Sequence, residues 1–341
     1  MQSIEEAKND RLYRNRPLLR YRRQLSLFKA FGSSSFLHMI GIKTEGEHSE
    51  ILALVNQLNA HLEQEPKYQP RISGLKVIES AHENGIRMTV RLRDFEVKDL
   101  LSLSQFFGFS TDTFVLSVSL LDRFLGLMKV QPKHLCCVGL CCMYLAVKAT
   151  EDEHMIPHVS DLIRISQCRF TVSDMLRMEN IILEKLHWRV KGPTALNFLR
   201  LYHKLIQNCS ASERKEILNL DRLESQLRAC SCRFIFSKTK GSILALSVLA
   251  LEVQTQRLPE VMETIESLQL HSKINDHDLF YWRELVAKCL AEYSSSTCSR
   301  PSNKKLMWIV SRRTSRQLQS YHRITPLPTI PEATMSTERE P

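Results

Sequence analysis

Three ionisable side chains stand where the surrounding sequence is apolar. Between residues 171 and 188, Met175, Ile182 and Leu186 mark one face of a helix, and at about 100° per residue Glu179 falls among them. Lys148 continues the stripe set by Cys137, Cys141 and Tyr144, and Asp122 sits one turn from Val118 and Leu125. Charges are seldom buried alone, because desolvation costs several kcal/mol per ion. Each of the three therefore either lies at the edge of its stripe and reaches water along its own stem, or meets a partner of opposite charge.

Other reactive residue types do not assemble into a site. The run "CCVGLCC" (136–142) places Cys137 and Cys141 one helical turn apart, but no second Cys-x-x-Cys or His pair completes a zinc set, so these are read as small, reduced core residues. The "CSC" at 230–232 is read in the same way. His154 and His158 are separated by Pro157, which indicates a loop. No metal and no cofactor is assigned. Without a nucleotide loop, a nucleophile–base motif or abundant glycine, the chain is expected not to be an enzyme.

A different constellation stands near the end of the sequence. "LPTIPE" (327–332) follows Pro326 and carries Pro328 and Pro331, which hold the backbone extended. Leu327, Ile330 and Glu332 then project at the spacing of a short linear docking motif, with two aliphatic anchors and a carboxylate. "LPEVME" (258–263) is a looser match and is expected in a helix.

Helices must position the internal charges. From 97 to 190 the apolar residues repeat with helical period through five segments: one stopped by Gly108, one through 111–128, one opened by Pro132, a short one near 160–166, and one capped by Thr171 with Asp174 three residues on. After Pro193 the pattern restarts and again supplies about five helices, so the expected fold is all-α, two tandem repeats of a five-helix unit. The divisions are 1–48, a basic extension expected to be disordered; 49–92, a helix and linker; 93–190 and 191–298, the two repeats; and 299–341, a basic, largely disordered tail.

The net charge of +10 resides in the ends of the chain. Residues 1–43 hold nine Lys and Arg against three acids, and residues 299–341 hold eight against three. The folded middle is therefore near neutral, unlike a surface built to grip phosphates, so nucleic acid is an unlikely partner. No apolar run of spanning length argues for a membrane, and the chain is expected in the nucleus and cytoplasm. The Arg-rich "RLYRNRPLLRYRRQ" reads as a nuclear-targeting patch, a transit-like segment or, preferably, a solvated tail.

Three linked motifs resemble the cyclin box. They are "SLLDRFL" (119–125), "YLAVKATEDE" (144–153) and "RMENIILEKLHWRV" (177–190), in that order. The resemblance is strongest over residues 93–190 and continues to about 295 as a second cyclin-fold repeat. It implies that Lys148 and Glu179 hold a helix of a cyclin-dependent-kinase-like protein kinase, and that Arg93 pairs with Asp122 inside the box. Glu179 is then expected to be unpaired until the kinase arrives. The first box helix departs from the pattern: "LRDFE" (92–96) replaces the usual substrate-docking text, and Asp99 stands where a tryptophan would line the groove. An aspartate does not line a dry groove, so docking of the usual cyclin substrate motif is not expected.

Within that family the text is most similar to the G type, as in "AHLEQEPKYQP" (60–70) and the closing "LPTIPE". This similarity implies cell-cycle and stress-response control, and a second partner, the B-prime regulatory subunit of protein phosphatase 2A, docked by Leu327, Ile330 and Glu332. The alternative is a paired cyclin fold of the general transcription factor type, which binds nucleic acid; the neutral core and the missing zinc ribbon count against it.

Overall fold

The chain is all-α. The structure, a computed structural model, describes residues 45–81, 87–209 and 218–295, and those residues contain no strand. An N-terminal helix, α1 (Glu45–Gln64), and a short α2 (Ile72–Glu79) precede the first five-helix unit. That unit is α3 (Val90–Phe107), α4 (Thr111–Leu127), α5 (Leu135–Thr150), α6 (Val159–Ser166) and α7 (Val172–Lys185). The second is α8 (Ala195–Cys209), α9 (Leu220–Ser231), α10 (Gly241–Gln256), α11 (Pro259–His271) and α12 (Asp276–Ser295).

Local signals set the helix ends. Gly108 closes α3 with φ 72°, a left-handed conformation that costs glycine little. Thr171 and Asp174 form a reciprocal capping box at the start of α7. Pro132 opens a 3-10 turn that leads into α5. Leu258 lies just before α11, which places the looser "LPEVME" stretch in a helix.

The third helix of each unit is its hub. α5 packs against α3, α4, α6 and α7, while α10 packs against α8, α9, α11 and α12. Both are apolar nearly all round, as a helix enclosed by neighbours must be. The stretch Pro132–Thr150 is long and apolar enough to cross a membrane, but 61% of its most apolar window is buried inside the fold. The repeat expected from helix count thus has a packing basis.

Polar contacts tie the N-terminal helix and its connection to the second unit. The Glu65 carboxylate, buried before α2, accepts hydrogen bonds from the Ser242 backbone N–H and hydroxyl, both at 2.8 Å. It thereby caps α10, whose own N-cap residue, Lys240, supplies no side-chain cap. Burial raises the Glu65 pKa, and the bonds from Ser242 oppose that rise. His271 at the end of α11 bonds to Asn59 of α1 at 2.8 Å.

The structure departs from the sequence reading at two further points. The apolar period runs on from 221 to 236, but α9 ends at Ser231 and a 3-10 turn covers Phe234–Lys238. The Asp94 carboxylate accepts the Phe234 N–H at 2.6 Å, a tertiary hydrogen bond that local periodicity does not encode. The cysteines also divide. Cys137, Cys141, Cys142, Cys230, Cys232 and Cys289 are free and buried, whereas Cys136 and Cys168 are only half-buried and lie side by side, with Cα atoms 6.5 Å apart. The expectation of core residues is corrected for Cys136, which lies at the edge of α5 where the chain returns after α6.

Candidate functional site

Lys148 occupies the last turn of α5, and Glu179 the middle of α7. α5 and α7 pack side by side, so two residues 31 positions apart in sequence meet as an ion pair. The Lys148 side chain is 36% exposed and that of Glu179 11%, which puts the pair at the rim of the core. The Lys148 ammonium also stands 4.6 Å from the centroid of the Tyr144 ring. Glu179 is therefore paired in the free chain. The expectation of a lone carboxylate is corrected, because the packing of α7 against α5 brings Lys148 within reach.

Apolar residues border this pair on α7. Val172 and Leu176 lie seven and three positions before Glu179, on the same side of the helix, and both are exposed. The sequence reading named the charges and missed these apolar neighbours. The signal was available in the i−3 and i−7 spacing from Glu179.

Arg93 and Asp122 form the expected pair, from α3 to α4. The guanidinium Nε donates to Asp122 Oδ1 at 2.9 Å and Nη2 to Oδ2 at 2.6 Å, a two-pronged arrangement. The two side chains are 1% and 6% exposed. Burial disfavours the Arg93 charge, but Asp122 outweighs that and raises its pKa. The third prong was not foreseen: Arg93 Nη1 donates to the backbone carbonyl of Ser231, in the second unit, at 3.0 Å. The pair is thus a junction between units and not only an internal tie.

On the first box helix, Glu96 and Asp99 line a pocket with Leu103, Cys136, Leu140, Ser166 and Cys168, with only about 10 Å³ of free space. Glu96 presses on Gly139, where an added Cβ would stand 2.2 Å from its Oε1. Carboxylates and close packing occupy the place of an apolar groove. Leu327, Ile330 and Glu332 lie outside the described residues. Among the described residues, no group of three or more His, Cys, Asp or Glu is placed to hold a metal ion.

Comparison with known proteins supplies the family. The cyclin N-terminal domain family matches residues 58–191. The chain is 64% identical to human cyclin-G1 over 280 residues, which cover 82% of this chain and 95% of the relative. The corresponding figure for bovine cyclin-G1 is 65% over 280 residues, with the same coverage, and for human cyclin-G2 it is 55% over 292 residues, covering 85% of each chain. Among solved structures, a viral cyclin from herpesvirus saimiri superposes with a TM-score of 0.55 at 20% identity, covering 70% of this chain and 99% of its own. Identity of this order, extending over nearly the full length of those relatives and joined to two five-helix units, leaves one conclusion: the chain belongs to the cyclin family, among the G-type cyclins.

Proposed function

We propose that this chain is an atypical cyclin, a non-catalytic regulatory subunit that binds a cyclin-dependent-kinase-like protein kinase and brings protein phosphatase 2A to it in cell-cycle and stress-response control, in nucleus and cytoplasm. The observation that carries the kinase half is the Lys148–Glu179 pair at the rim of the fold, bordered by exposed Val172 and Leu176. A pair that already satisfies itself can exchange its contacts for backbone groups of an incoming helix without stranding a bare charge, and the apolar rim supplies the buried area.

The phosphatase half rests on "LPTIPE" (327–332). In an extended segment, Leu327 and Ile330 can each enter an apolar pocket while Glu332 meets a basic or amide-lined site, and the prolines lower the entropy lost on docking. The groove of a helical-repeat solenoid, such as the B-prime subunit, suits such a peptide. Titration calorimetry with purified B-prime subunit tests this half. Affinity near micromolar, about −8 kcal/mol, is expected for the wild-type chain, and Leu327→Ala or Ile330→Ala should weaken it tenfold or more. Equal binding by the Leu327→Ala/Ile330→Ala double variant would remove the motif from the account.

A further inference from the structure

Arg123 follows Asp122 on α4, and consecutive side chains leave a helix about 100° apart. Asp122 turns toward Arg93, whereas Arg123 meets Tyr68 of the connection between α1 and α2. The Arg123 residue is only 5% exposed, and its guanidinium carbon stands 5.0 Å from the centroid of the Tyr68 ring. Among the described residues no carboxylate pairs with it. The contrast with Arg93 is direct, because that more deeply buried guanidinium is held by Asp122, Asp94 and the Ser231 carbonyl. Buried arginines are ordinarily matched by acids, and a tyrosine ring contributes less than a carboxylate does.

The surroundings add positive charge. Tyr68 lies against Gly192, where an added Cβ would meet the ring at 2.2 Å, so the segment joining the two units passes over the same place. That segment carries Arg189 and Lys191, both exposed. Burial holds the Arg123 guanidinium below the usual arginine range; Tyr68 and the Cys142 thiol oppose that shift, and the like charge of Arg189 adds to it less than either. A buried cation beneath a segment that carries two more, with no carboxylate paired to it, is stabilised most by a dianion that accepts from its N–H fork and from theirs.

We propose that Arg123, with Tyr68 beneath it and Arg189 at its edge, forms a binding site for a phosphate dianion at the junction of the two cyclin folds. The ligand is inorganic phosphate or a phosphorylated side chain, which share this chemistry. Such a site lies apart from the Lys148–Glu179 rim, so its failure and that of the kinase reading are separable.

Thermal melts of the full chain test it, in sodium phosphate and in sodium chloride of equal ionic strength at pH 7. Phosphate at about ten times its dissociation constant should raise the Tm by about 2–4 °C. Arg189→Gln changes an exposed side chain, and should lose most of this rise while melting normally in chloride. Arg123→Met keeps the buried stem without its charge. It should melt at or above wild type in chloride and ignore phosphate. A larger response to O-phosphoserine than to inorganic phosphate assigns the site to a phosphorylated side chain, and the reverse to the free ion. A wild-type Tm equal in the two salts, or a rise undiminished in Arg189→Gln, would overturn the site, and neither result depends on Arg123→Met folding.

Discussion

Lys148 and Glu179 neutralise each other at the rim where α5 meets α7, whereas Arg93 and Asp122 do so in the core. The difference in exposure decides what each pair contributes. A rim pair with a one-third-exposed lysine contributes about 0–1 kcal/mol, since water screens it and long side chains lose entropy on pairing. Glu179→Ala should therefore unfold within about 1 kcal/mol of wild type in urea. A loss as large as that of Asp122→Ala would make Glu179 structural.

Breaking the core pair is expected to be costly. Asp122→Ala leaves a buried guanidinium with a partial set of acceptors, at roughly 3–5 kcal/mol. Arg93→Ala removes the donor to Asp122 and to Ser231 at once, so it should cost at least as much and loosen the second unit with the first. Hydrogen exchange on α9 reads that difference. Unchanged protection of α9 in Arg93→Ala would confine the arginine to the first unit.

Mild acid should loosen the fold at His271. Burial, and after it the charge of Lys273, push this imidazole down to about 4 from 6.5. The unfolded chain then takes up the proton first. Stability from this group is complete above pH 6.5 and falls as the pH drops toward 4, by up to about 1.4 kcal/mol per unit. Urea midpoints at pH 7 and pH 5 should diverge more for wild type than for His271→Gln, and equal divergence would place the acid sensitivity elsewhere.

Much of this architecture was legible in the sequence because its cues are local. Gly108, Thr171 with Asp174, and Pro132 each end or begin a helix through bonds within a few residues, and the ten helices of the two units follow from apolar period. The partnership of Arg93 with Asp122 was legible only through the cyclin resemblance. What stayed hidden depends on distant contacts. Glu65 caps a helix 177 residues away, Asp94 ends α9 across 140 residues, and Cys136 meets Cys168 across 32. The pairing of Lys148 with Glu179 was hidden for the same reason, since each stripe was read on its own helix and the angle between helices has no one-dimensional signature.

The most direct measurement is quantitative affinity purification from cell extract, with wild-type chain beside the Lys148→Ala/Glu179→Ala variant and mass spectrometry of the recovered kinases. Matched melting curves ensure that both chains are folded. The account predicts a cyclin-dependent-kinase-like kinase with the wild type and at least a tenfold loss with the variant, equivalent to about 1.4 kcal/mol or more. Equal recovery of that kinase with both chains would contradict it.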